Sequence, residues 1–336
     1  MKKVTMADVA KKAGVSKSTV SQFLNKRFEY MSVETREKIA KAIEQLGYKP
    51  NYLARSLKQK RTSMIGIIVA NIVHHFSTEV SRAIEDFFIE HDIHAILCNA
   101  DNDPKKERRY IEMLQAKQVD GLIIFPTEQN LDLYKNLVES GYPVVFMDRK
   151  VDDVNIPSVK VNNSEATEAI IQHFIEYGHE RISIVTQPLT ISTRIERVNG
   201  YRKAIKENEM ELNEDFIIRA ETKDINSQLK LLFAKKNPPT ALIAGNDLVF
   251  LEILEFAKEN GLKIGIDFSL AVFDNIPFAH LVTPAVTTIA QPSYEMGEKA
   301  AQMLLSLIEK ENSELQDVVY NCQLLIRDSS RIVRTK

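Results

Sequence analysis

The chain has 336 residues, 44% of them apolar and 27% charged, enough to bury sizeable cores and to divide into two or three domains. Its net charge of -2 hides an asymmetry: residues 1–61 carry 15 Lys and Arg against 5 Asp and Glu, or +10, which leaves 29 against 41, or -12, for the rest. Two distant cysteines, Cys98 and Cys322, give no disulfide scaffold and no metal spacing. With no apolar run near the ~18 residues a bilayer needs and no h-region behind the first lysines, export and membrane insertion are not expected, and a cytoplasmic setting is.

The cationic head opens with Thr5, a helix cap, followed by Met6, Val9, Ala10 and Ala13 along one face, with Asp8 at the third position and Gly14 as the stop. A second helix is predicted after Ser16, burying Val20 and leaving Lys17, Ser18, Ser21 and Gln22 turned outward in part. A third begins after Ser32 in "SVET" and buries Ile39, Ala42, Ile43 and Leu46 before Gly47. Two short helices about a glycine turn form a helix-turn-helix, whose second helix enters a DNA major groove. Short side chains permit close approach, and Gln22 is long enough to bond an adenine edge with both ends of its amide. Ser16, Thr19, Ser21, Asn25 and Tyr48 suit phosphates better. Next comes "KPNYLARSLKQKRTS", where Asn51 can cap one or two helical turns too short to be stable alone.

From Met64 the texture changes to apolar runs alternating with helical patterns: "MIGIIVA", "HAILCNA", "VDGLIIF" and "PVVFMDR", then "SVKVN", "RISIVT", "DFIIRA", "TALIAG" and "DFSLAVFD". The fold class expected is α/β, two parallel-sheet lobes of similar size behind an all-α head. No phosphate loop, dinucleotide fingerprint, "HExxH" or "GxSxG" is present, and the adjacent His74 and His75 have poor spacing for chelation, so no cofactor, metal or catalytic residue is expected. Ligands of such sheets bind beyond the carboxyl ends of the strands. The polar and aromatic residues there are Asn71, Phe76, Asn99, Asp101, Asp148, Arg149, Asn162, Asn163, Arg194, Arg197, Asn246, Asp247, Asp274 and Gln291, a ring suited to a small polyol or sugar. Arg149, Arg194 and Arg197 exceed what a neutral sugar needs and lean toward a sugar acid, because guanidinium pairs with carboxylate through two parallel hydrogen bonds; salt bridges to Asp148, Glu196 or Asp274 would instead leave room for an uncharged ligand.

Through "VTMADVAKKAGVSKSTVS", "LN", "SVETREKI" and "LGYKPN" the head resembles the DNA-binding domain of the LacI/GalR family of bacterial repressors, and the body resembles that family's effector core, a periplasmic-binding-protein-like pair of lobes joined by three crossings. The resemblance implies a head at 1–49, a hinge at 50–61, an amino-terminal lobe at 62–161 with 292–322, and a carboxyl-terminal lobe at 162–291 with 323–336. It implies base reading by Lys17, Ser18 and Gln22, the last standing where most relatives carry arginine. It also implies a hinge helix that folds on DNA, with Leu57 wedged into the minor groove beside Ala54 and Lys58 near the phosphates. In the body, Arg197 in "RVNGY", Asn246 and Asp247 in "ND", Asp274 in "FD" and Gln291 in "TTIAQP" match effector-contacting positions. The crossover carries Asn162 and Asn163 in place of the family's aspartate, and "NIVHHFS" departs from its "NPFF" loop. "VSKSTVSQ" and "RFEYMS" resemble regulators of ketodeoxygluconate use. The partners implied are a palindromic operator DNA, a carbohydrate or sugar-acid effector and a second copy of the chain, with Val80, Ile84 and Phe88 at the dimer contact. Effector-induced release is expected, with corepression as the opposite polarity; neutral sugars, nucleosides, a sugar-modifying role and an architectural role are the alternatives.

Overall fold

The computed structural model describes residues 4–25, 27–29, 31–48, 61–311 and 316–331. The chain divides into two compact units, Met1–Thr62 and Ser63–Lys336. The first holds helices α1 (Met6–Ala13), α2 (Lys17–Leu24) and α3 (Val33–Leu46). Each begins where its cap dictates. The Asp8 amide donates to Thr5 Oγ1 at 3.4 Å while Asp8 Oδ2 accepts from the Thr5 amide at 2.8 Å, Ser16 accepts from the Thr19 amide, and Ser32 accepts from the Thr35 amide. Gly14 and Gly47 end α1 and α3 in the left-handed region, at φ 69° and 59°, where a side chain would be strained. Val9, Ala10, Val20, Met31, Ile39, Ala42 and Tyr48 form the core, with Ile43 and Leu46 half-buried against it.

In the second unit two six-stranded sheets are each covered on both faces. The first contains β1 (Met64–Val69), β2 (His94–Asn99), β3 (Gly121–Ile124), β4 (Val144–Met147), β5 (Ser158–Val161) and, late in the chain, β11 (Val318–Tyr320), in the order β11-β5-β4-β3-β1-β2 and all parallel. Alternation decides which helices each strand residue meets. Ile65, Ile67 and Val69 face α4 (His75–Glu90) and α11 (Ser293–Glu309); Ile68 packs with Ile111 and Leu114 of α5 (Pro104–Ala116) and Leu133 and Leu137 of α6 (Leu131–Glu139). The second sheet contains β6 (Ile182–Thr186), β7 (Ile217–Arg219), β8 (Ala241–Ala244), β9 (Ser269–Phe273), β10 (Thr287–Ala290) and β12 (Gln323–Leu325), in the order β12-β10-β9-β8-β6-β7, with β12 alone antiparallel. Helices α7 (Asn163–Glu176) and α8 (Ser192–Glu207) cover one face, and α9 (Thr222–Phe233) and α10 (Asp247–Glu259) the other.

The main chain passes between the sheets after Val161, after Ala290 and after Tyr320. Two passages are hydrogen-bonded to each other: the Asn162 amide donates to Tyr320 O at 3.0 Å, and Asn162 Oδ1 accepts from the Cys322 amide at 2.8 Å. In both sheets the direction of strand addition reverses, between β1 and β3 and between β6 and β8, so each presents a ligand-binding crevice at its carboxyl edge. The expectation that Val80, Ile84 and Phe88 meet a second copy is corrected here. All three are fully buried in the core of their own sheet, because the apolar stripe of α4 is needed to cover β1.

A buried acid shapes the crevice of the first sheet. Glu107 is 0% exposed and accepts from the Thr127 amide at 2.7 Å, Asn130 Nδ2 at 2.8 Å and the Tyr134 hydroxyl, which fixes the turn after β3. Burial first, then the neighbouring Glu107 charge, pushes the Tyr134 phenol far above its ordinary value, so the hydroxyl stays a donor. Glu107→Ala strands three buried donors and is expected to cost about 3 kcal/mol in urea denaturation.

Candidate functional site

The DNA-reading face is built on α2. Lys17, Ser18 and Gln22 are exposed, and Ser18 and Gln22, four residues apart, share one side of the helix. Ser16 is exposed at the cap, with Ser18 Oγ at 2.6 Å and Thr19 Oγ1 at 2.8 Å, and Thr19 and Ser21 are half-buried. Asn25 closes the helix, its Nδ2 donating to Ser21 O at 2.7 Å. Tyr48 departs from its expected role at the phosphates: it is 8% exposed and belongs to the head core. Asn51, Ala54, Leu57 and Lys58 lie outside the described residues.

In the second unit a narrow, partly open polar cleft lies where the carboxyl edges of the two sheets face each other. Eight residues singled out in the sequence line it: Phe76, Asp148, Arg149, Arg194, Arg197, Asn246, Asp274 and Gln291. His74, Ser77, Asn102, Phe125, Ile191 and Thr193 join them, and the sequence pattern did not select these six for the site. Phe76 meets Phe125 edge to face, centroids 6.2 Å apart, as the aromatic wall.

Six expected site residues do not line the cleft. Asn71 and Asn99 fold the loop after β1, their side-chain oxygens accepting from the Val73 and Ile72 amides. Asp101 is exposed and pairs with Asn99 and Lys106, and Asp247 is spent on a contact described below. At the crossover, Asn163 supports an arginine and Asn162 joins two strands of chain.

The arginines differ in how they are held. Arg197 is 7% exposed; its Nε donates to Asn163 Oδ1 at 2.8 Å and one Nη to Gly245 O at 2.5 Å, and its guanidinium carbon sits 4.0 Å from the centroid of the Phe273 ring. Arg149, 5% exposed, donates to Pro126 O and Asn102 Oδ1; its buried Nε has no acceptor and lies 3.5 Å from the Asp148 carboxylate. Arg194 donates to Pro188 O at 2.9 Å. Burial, then the charges of Arg149 and Arg197, pull the Arg194 guanidinium down to about 10. Glu196 is taken by Lys160 and Asn163, so among the described residues no carboxylate pairs with Arg194 or Arg197. Burial raises the Asp148 and Asp274 carboxyls, partly offset by Arg149 and Arg197 for the first and by Arg197 for the second. Asp274 accepts from Gln291 Nε2 at 2.5 Å, which leaves Gln291 Oε1 buried with no donor.

Two acids cross the cleft in opposite directions, each to a helix start of the other lobe. Asp247, at the start of α10, accepts from His74 Nδ1 at 2.5 Å and from the His75 amide at 3.1 Å, at the start of α4. Glu128, after β3, accepts from the Ser192 amide at 2.7 Å, at the start of α8. A carboxylate is stabilised at either place by the helix dipole. Burial works to raise the Asp247 carboxyl, but the hydrogen bond and charge of His74 and the amides of His75 and Leu248 outweigh it and hold it below the ordinary value. Any strength this contact adds is therefore present above the ordinary aspartate range and lost as pH falls through the lowered value. Asp247→Asn is expected to weaken the lobe contact by about 1.5 kcal/mol and to raise the radius of gyration measured by small-angle X-ray scattering.

A helix-turn-helix head joined to two α/β lobes around a polar, arginine-rich cleft defines the class of ligand-responsive DNA-binding regulators. Residues 62–328 match the periplasmic binding proteins and sugar binding domain of the LacI family, and residues 5–51 match the bacterial regulatory proteins of the lacI family. The chain belongs to the LacI family: it is a DNA-binding transcriptional repressor with a sugar-binding domain. It is 47% identical over 321 residues to the "Probable HTH-type transcriptional regulator EndR" of Paenibacillus polymyxa, covering 94% of each chain. It is 34% identical over 333 residues to the HTH-type transcriptional regulator KdgR of Bacillus subtilis, covering 97% of each. Among solved structures it resembles the lac repressor dimer bound to operator and an anti-inducer, with a TM-score of 0.85 and 25% identity over 98% of this chain and 99% of that one. These relatives are regulators, and the chain is not an enzyme.

Proposed function

We propose that this repressor binds a sugar acid in the cleft and is released by it from a palindromic operator, acting as a cytoplasmic dimer. The observation that carries the reading is the charge balance of the cleft: three guanidinium groups line it against two carboxyl groups, Asp148 and Asp274, and two of the three form no ion pair with a carboxylate among the described residues. An anionic ligand supplies what they lack. Ketodeoxygluconate is the first acid to test, because the head resembles regulators of its use. The dimer reading draws support from exposed apolar side chains on the second lobe, Leu251, Phe278 and Leu281, the last 72% exposed.

Coupling follows from linkage. Residues 50–61 would serve as the hinge between the head and the two lobes, and a ligand preferring one lobe arrangement shifts the DNA-binding equilibrium by its differential affinity alone. Polarity is then set by which arrangement operator prefers.

The test is a thermal-shift screen of the full chain against ketodeoxygluconate, galacturonate, glucuronate, glucose and cellobiose, followed by fluorescence anisotropy on an operator selected from a random pool. A ligand at one hundred times its Kd stabilises by about 2.7 kcal/mol. A response confined to acids, with loss of operator affinity, supports the reading; a response to neutral sugars alone overturns the sugar-acid assignment, and tightened operator binding reverses the polarity. On the DNA side, Gln22→Ala is expected to cost about 1–3 kcal/mol at one operator step and to relax base preference there, and Leu57→Ala to weaken specific binding more than nonspecific binding.

A further inference from the structure

Arg149 and Arg194 reach the cleft from different lobes. Arg149 follows β4 of the first sheet, and Arg194 lies in the first turn of α8 against the second. Both line the same space, and their charges disfavour each other there. Neither has all its donors used by the protein: the buried Nε–H of Arg149 makes no hydrogen bond, although the Asp148 carboxylate lies 3.5 Å away, and Arg194 donates through one Nη, to Pro188 O at 2.9 Å and Thr190 Oγ1 at 3.5 Å. The opposite requirement stands at Gln291, whose buried Oε1 lacks a donor because its amide nitrogen is spent on Asp274. The site thus has one buried donor, on Arg149, and one buried acceptor, on Gln291, without a hydrogen-bond partner, and the half-buried Arg194 guanidinium of the other lobe lines the same space.

We infer that Arg149 and Arg194 form a clamp in which one carboxylate of the effector is held from both lobes at once, while a hydroxyl of the same molecule donates to Gln291 Oε1. This rests on the sugar-acid reading and goes beyond it by giving the carboxylate a mechanical role. Asp148 offsets part of the Arg149 charge, and what is left of the like charge of the two guanidinium groups works against the approach of the lobes; a shared anion turns that remainder into attraction to a common centre. A neutral sugar satisfies Gln291 without drawing the lobes together. Arg197 stands apart from the clamp, since Asn163, Gly245 and Phe273 fix it from one lobe.

The experiment is isothermal titration of the full chain with ketodeoxygluconate, galacturonate and glucuronate and with glucose, paired with small-angle scattering for lobe closure. The variants are Arg149→Gln, Arg194→Gln, Arg194→Lys and the double glutamine. The expected result is that the wild type binds an acid and contracts. Each single glutamine variant should weaken that acid roughly 30-fold, and the double variant should lose less than the product of the two, because both arginines hold one group. R194K should recover part of the affinity. Without ligand, R194Q should melt no lower than the wild type, whereas an arginine needed only for folding would melt lower when replaced. An acid that binds R194Q and R149Q as tightly as the wild type overturns the clamp and leaves the sugar-acid reading standing. A wild type that prefers glucose, or binds no acid, overturns that reading and the clamp with it.

Discussion

The second lobe is organised around the buried guanidinium of Arg197. One side chain ties the first residue of α7, the turn after β8 and the last ring of β9, through Asn163 Oδ1, Gly245 O and the face of Phe273. These points lie where the carboxyl edge of the sheet meets the crossover, so Asn246 and Asp274, each next in sequence to one of them, inherit their positions from it. A planar cation suits the task because its donors leave in fixed directions and its face can rest on a ring. All of its hydrogen-bond acceptors are neutral. Asp274 of the same lobe acts on the charge only at a distance, so part of it reaches into the cleft, where the neighbouring arginine feels it.

The joining of the two lobes follows a related logic. Three passages of chain connect them, and Asn162 stitches two of these together, which fixes a narrow axis and leaves the rims of the cleft to other forces. At the rims, Asp247 and Glu128 exchange contacts with helix starts of the opposite lobe, while Arg149 and Arg194 repel. Attraction and repulsion across one opening suit an element whose balance a small ligand can tip, since differential interaction with two arrangements is all that coupling requires.

Much of this was legible from local chemistry. Thr5, Ser16, Ser32, Gly14 and Gly47 act within four residues of themselves, so the boundaries of the head helices could be read from sequence alone. The apolar runs became strands because burial on both faces removes alternation, although the last stretch of the chain, with α11, β11 and β12, gave no such pattern. The rule that ligands gather beyond strand ends found Arg149, Arg197, Asp274 and Gln291. It also selected Asn71, Asn99 and Asp101, because a residue that folds a loop and one that faces a ligand look alike in one dimension. His74 was passed over since its partner lies 173 residues away. Tyr48 and the α4 stripe were read outward where the core required them inward.

Gly297 lets two helices of the first lobe meet without a side chain between them. A Cβ there would come within 2.7 Å of Val80 O and 2.8 Å of the Ala83 Cβ, so α11 and α4 touch backbone to backbone, with no side chain between them to take up slack. Helix α4 begins beside the cleft at His74, Phe76 and Ser77, and α11 begins two residues after Gln291, just past the crossing from the other lobe. Pressed together in this way the pair behaves as a single rod with both grips in the binding site. A ligand that moves Phe76 or Gln291 would therefore have to move both helices together, since close-packed interiors pass strain on to their neighbours.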